Sequence, residues 1–129
     1  MFLDFFNTVA NLKNIPRQGW IEKLGLEKPE SVSDHTFSMT MMCLVFSEIQ
    51  KLDTLKVIKM SLVHDLVESH TGDLTPGALP KTKKLEIEKK TMKIILQDLP
   101  NEIEEQISNV WQEFLERKTP ESIIVHEID

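Results

Sequence analysis

The sequence predicts an all-α fold from three observations: it holds only four glycines among 129 residues, it has no tyrosine, and its chain breakers gather in a few places. A sheet protein of this length would need many more turns. The first helix is expected over about Phe2 to Leu12 and is ended by Asn14-Ile15-Pro16. The stretch RQGWIEKLGLEKPESVS then reads as irregular. Ser33 and Asp34 are both N-cap residue types, so a second helix starts at one of them, passes Phe37, Met41, Leu44, Val45 and Ile49, and stops near Leu52. A third runs from Asp53 or Thr54 to Ser69. HTGDLTPGALP, with two glycines and two prolines, forms a loop. Lys81 to Leu99 gives a long charged helix, Pro100 punctuates, and Asn101 to Arg117 gives another, whose apolar face serves either an internal core or a dimer contact. Thr119-Pro120 fits an N-cap with proline at the first helical position and opens a last helix carrying Ile123, Ile124, Val125 and Ile128.

Size and charge narrow the function. The chain is long enough for one domain, residues 1–129, with a real core that needs no structural metal. A net charge of −6 opposes a nucleic-acid polymer or an anionic membrane surface. No stretch reaches the ~18 apolar residues of a membrane span, and MFLDFFNTVANLKN has neither a basic leader region nor a cleavage motif. The lone Cys43 cannot form an internal disulfide, which fits a reducing cytoplasm. Met39, Met41, Met42 and Phe37 are expected to pack a core. The Lys81, Lys83, Lys84 group and the Glu102, Glu104, Glu105 run are expected to be solvated faces.

The third helix carries the chemistry. With ~100° between successive residues and His64 at zero, Glu68 falls at about 40°, Ser61 at about 60° and Asp65 at about 100°. Leu55, Ile58, Leu62 and Leu66 cover about 120–200°, and Met60, Val63 and Val67 about 260–320°. A narrow polar arc therefore runs between two apolar flanks, and Ser61 is small enough to leave room above it. Burying ionisable groups beside such flanks is costly without a partner or a metal. The adjacent His64-Asp65 pair can offer an imidazole nitrogen and a carboxylate oxygen to one divalent ion. Further ligands are needed, and the other histidines are His35, His70 and His126.

A histidine at the head of one helix, a His-Asp doublet 29 residues on and an aspartate on a later helix resemble the metal-binding pattern of the HD-domain superfamily. Four ordered motifs sharpen the likeness: RQGW at 17–20, PESVSDH at 29–35, LVHDLVE at 62–68 and TGDLTP at 71–76. Together they look like the 5′-deoxynucleotidase group of that superfamily, over the chain from about Pro16 to Asp129. The resemblance implies an HD-type helical bundle that here ends at its last metal-ligand aspartate, where family members usually continue. It implies metal ligands His35, His64, Asp65 and Asp129, and Glu68 as the catalytic acidic residue. It implies substrate contacts from Arg17, Trp20 and Asp73, Leu74, Thr75 and Pro76. The activity implied is hydrolysis of deoxyribonucleoside 5′-monophosphates by a cytoplasmic, dimeric enzyme carrying one divalent cation. An HD-type phosphodiesterase, a nucleoside triphosphate hydrolase and a non-catalytic metal-containing nucleotide binder are the alternatives.

The residue types suit those roles. A His₂Asp₂ set is nitrogen and oxygen only, which accommodates Mn, Fe, Co, Ni or Zn. Glu68, one turn from His64, can orient or deprotonate a water, or protonate the leaving 5′ oxygen. Arg17 offers a planar, permanently charged fork for phosphate, or is a solvated loop residue. Trp20 offers a flat face for sugar or base, or anchors the core. Asp73 accepts a hydrogen bond from a sugar hydroxyl, or makes an Asx turn. His70 suits a helix C-terminus on dipole grounds alone, and His126, outside the pattern, reads as structural.

Overall fold

A computed structural model describes residues 2–17, 29–72 and 79–129, and every regular element among them is helical. The chain divides into two compact units, Met1–Asp34 with Asp65–Leu99, and His35–His64 with Pro100–Asp129. The second helix, α2, crosses from one to the other.

The first unit contains α1 (Leu3–Asn11), a 3₁₀ turn (Leu12–Asn14), the first turn of α2 (Val32–Ile49), α4 (Glu68–Thr71) and α5 (Lys81–Leu96). Pro16 and Ser31 form an isolated antiparallel bridge. Val32 N–H donates to the Ile15 carbonyl at 2.8 Å and Arg17 N–H to the Glu30 carbonyl at 3.0 Å. These bonds tie Arg17 to the head of α2. Helix α4 is tied to α1 by Ser69 Oγ donating to the Thr8 carbonyl at 2.6 Å and Asn11 Nδ2 donating to the Ser69 carbonyl at 3.0 Å. Leu12, Val32, Leu66, Val67, Met92, Ile95 and Leu96 are its buried apolar residues.

In the second unit, α3 (Thr54–Val63) packs on α6 (Asn101–Glu116) and α7 (Pro120–Ile128), which also pack on each other. Asp53 starts α3 by accepting the Lys56 N–H at 3.1 Å. Helix α6 ends where Arg117 turns left-handed at φ 58°. Thr119 and Ser122 then form a reciprocal capping box, each hydroxyl accepting the other's N–H at 3.1 Å, with Pro120 opening the helix. Met39, Cys43, Val57, Met60, Phe114, Ile124 and Val125 make the core, flanked by Leu52, Val110, Leu115 and Ile128. Each fully buried aliphatic chain such as Val125 contributes roughly 1.5–3 kcal/mol. The apolar face of α6 thus closes an internal core.

Three expectations are corrected. Helix α2 begins at Val32, because Ser31 rather than Ser33 or Asp34 is its cap: Asp34 N–H donates to Ser31 Oγ at 3.0 Å and Ser31 N–H returns to Asp34 Oδ2 at 3.1 Å. The third helix ends at Val63 instead of Ser69, and three bonds beyond it run three residues back, Glu68 to Asp65, Ser69 to Leu66 and His70 to Val67. At this break the His64 ring donates to the Ser61 carbonyl, the acceptor that a continuing helix offers to the amide of residue 65. Finally, Met39 is buried, whereas Phe37, Met41 and Met42 are exposed.

Candidate metal centre

The polar arc expected on the third helix is its buried face. Val57, Met60, Ser61 and His64 are buried, and Leu55 and Leu62, expected to flank a polar opening, are exposed. Ser61 leaves no room above itself: its hydroxyl pairs with Thr40 Oγ1 at 2.8 Å and its carbonyl accepts His64 Nδ1–H at 2.6 Å. A carbonyl can only accept, so Nδ1 carries the proton and Nε2 is the nitrogen left for a ligand. Burial pushes the Cys43 thiol pKa up, with a hydrogen bond to Ser61 opposing it in part.

His35, in the first turn of α2, and Asp129, which follows α7, complete a cluster around His64 Nε2. Asp129 Oδ1 lies 2.7 Å from His35 Nε2 and 3.4 Å from His64 Nε2, and the two imidazole centroids are 5.9 Å apart. The His64 side chain is fully buried, that of His35 is 13% exposed and that of Asp129 is 30% exposed. The last turn is held by Asp129 N–H donating to the Val125 carbonyl at 3.0 Å and by burial of Ile124 and Val125. Burial alone would raise the Asp129 carboxyl pKa; the hydrogen bond with His35 and the nearness of both imidazoles outweigh it and hold the group well below the usual carboxylate range. One ligand atom from each of the three residues lies within 4.8 Å of the others. Two imidazole nitrogens and a carboxylate oxygen so placed fit a divalent ion of the first transition row.

Of two neighbours, Phe114 was not singled out from the sequence and His126 was read as structural. The Phe114 ring meets the His64 ring at 5.5 Å with 66° between planes, and His126 stacks on Phe114 at 3.9 Å with 7° between planes. Only the helical phase of Phe114 on α6 and of His126, three residues before Asp129, hinted at this.

The remaining expected residues stand as follows. Asp65 and Glu68 belong to the first unit, Asp65 directly after His64 in the chain and Glu68 heading α4. Arg17, also there, is half-buried. Trp20, Asp73, Leu74, Thr75 and Pro76 lie outside the described residues. His70 is exposed in the last turn of α4, 3.4 Å from Thr8 Oγ1.

Residues 9–129 match the HD domain family. The chain belongs to that family. This HD domain is 40% identical over 136 aligned positions to 5′-deoxynucleotidase HDDC2 of Dictyostelium discoideum, covering 99% of the chain and 71% of the relative. It is 36% identical to 5′-deoxynucleotidase HDDC2 of Mus musculus, covering 98% of the chain and 63% of the relative. The chain thus spans less than two-thirds of the mouse protein. Among solved structures, a conserved hypothetical protein from Pyrococcus furiosus superimposes with a TM-score of 0.84 at 30% identity, covering 98% of the chain and 74% of that protein. No helix among the described residues is long and apolar enough to cross a membrane.

Proposed function

We propose that this HD domain is a metal-dependent phosphohydrolase that releases phosphate from deoxyribonucleoside 5′-monophosphates. The observation that carries the proposal is the convergence of His35, His64 and Asp129 from α2, α3 and α7, in a relative of 5′-deoxynucleotidases. Asp65, next to His64, is the fourth ligand in this reading. A divalent cation held there would supply Lewis acidity and an activated water.

The chain's own groups do the rest. Arg17 presents a fork to the phosphate, while Trp20 and Asp73, Leu74, Thr75 and Pro76 receive the nucleoside. Glu68 takes the proton from water as its oxygen bonds to phosphorus, or supplies one to the 5′ oxygen as the P–O bond breaks. The enzyme acts in the cytoplasm, where the unpaired Cys43 stays reduced, and as a homodimer.

Phosphate release from nucleoside mono-, di- and triphosphates and from a phosphodiester, assayed with Mn, Fe, Co, Ni and Zn in turn, tests the proposal. The expected result is release from deoxyribonucleoside monophosphates that a chelator abolishes. Metal-independent release, or turnover confined to the triphosphates or the diester, would overturn it.

A further inference from the structure

His64, Phe114 and His126 form a chain of ring contacts within the second unit. Phe114 meets His64 at a steep angle, the T-shaped arrangement that aromatic quadrupoles favour, while His126 lies flat on Phe114. His126 Nε2–H also donates to the backbone carbonyl of Phe114 at 2.6 Å. One side chain therefore holds both the ring and the backbone of the residue that walls His64. His126 and Asp129 are three residues apart at the end of α7, which puts them on neighbouring positions of one helix side. The bond to Phe114 fastens that turn to α6.

We propose that His126 is a positioning residue for the metal centre: through Phe114 it holds the His64 ring, and through its grip on α6 it holds the turn that presents Asp129. The inference rests on the reading of His35, His64 and Asp129 as metal ligands. Groups one layer behind a ligand commonly carry a large share of metal affinity because they fix its orientation.

The test titrates Co²⁺ into the metal-free full chain for wild type, H126A, H126Q and H126F, at a temperature where circular dichroism shows each folded. Affinity and the visible Co²⁺ absorption band are read together. H126A is expected to weaken binding by about 10-fold or more and to shift the band. H126Q, whose amide Nε2 can donate to the same carbonyl, is expected to recover most of both. Wild-type affinity and band in H126A would overturn the proposal. So would a lower melting temperature with both metal readouts unchanged, which is what a purely structural role would produce. Should H126A fail to fold, H126F decides, because it keeps an aromatic ring and loses only the donor; unchanged affinity and band in it overturn the proposal. If the wild-type chain binds no Co²⁺, the metal reading fails first, before any variant is compared.

Discussion

His35 and Asp129 stand 94 residues apart in the sequence, and their side chains meet at 2.7 Å. The contact closes the cluster on His64, so the position of the last turn of α7 is a condition for having three ligands. Asp129→Asn keeps the shape and removes the charge. It is expected to weaken Co²⁺ binding by at least about 10-fold by calorimetry, and to raise hydrogen exchange of amides 121–128 while those of α3 stay protected. Unchanged affinity would reduce the ligand set to His35, His64 and Asp65.

Glu68 heads a short helix of its own and is assigned no metal bond. Glu68→Ala is expected to bind metal and substrate as wild type does and to lower turnover by roughly 10²-fold, the size associated with a positioned acid or base. Single-turnover kinetics would check it, and wild-type turnover would remove Glu68 from the mechanism.

Arg17 has its backbone fixed by the bond that its N–H donates to the Glu30 carbonyl at 3.0 Å. Arg17→Lys keeps the charge and loses the fork, so kcat/KM is expected to fall clearly. Equal kinetics for the two proteins would place Arg17 outside the substrate site.

Thr119 caps α7 and also donates its hydroxyl to Glu113 Oε2 at 2.7 Å. Thr119→Ala is expected to cost about 0.5–2 kcal/mol of stability, and Thr119→Ser to cost little. Thermal melts of both variants decide the matter.

Burial lowers the His126 pKa, and the charges of Arg117 and His64 act the same way against opposing contributions from the Phe114 carbonyl and Asp129. The unfolded chain therefore binds more protons than the folded one below about pH 6.5, and this contribution to stability, complete above that pH, is lost on acidification. In chelator, the fall in melting temperature from pH 7 to pH 5 is expected to be smaller for H126Q than for wild type. An identical fall would assign the effect to other groups.

The helices were legible wherever a local signal marks them. Thr119-Pro120, Pro100 and Asn14-Ile15-Pro16 act through their own backbone preferences, and all three boundaries fall close to where those residues put them. The break after Val63 was not legible, because neither glycine nor proline marks it: residues 64–67 are His, Asp, Leu and Val. The cap at Ser31 was missed for a similar reason: Ser31, Ser33 and Asp34 are equivalent by type, and only the reciprocal bond distinguishes them. Of the metal cluster, the His64-Asp65 doublet was readable from helical phase, whereas His35 and Asp129 rested on family resemblance. The contribution of Phe114 came from an interhelical packing that no spacing along one helix encodes.

The bond from His64 to the Ser61 carbonyl also bears on how an ion would be taken up. A ring rotation that exchanged its two nitrogens would strand a buried carbonyl, so His64 has one orientation before any ligand arrives. The entropy of ordering that ligand is spent during folding and is not charged to metal capture. The His35 and Asp129 side chains, 13% and 30% exposed, meet each other at 2.7 Å beside His64. An ion arriving there would meet one donor already aimed, with the bonded His35–Asp129 pair beside it.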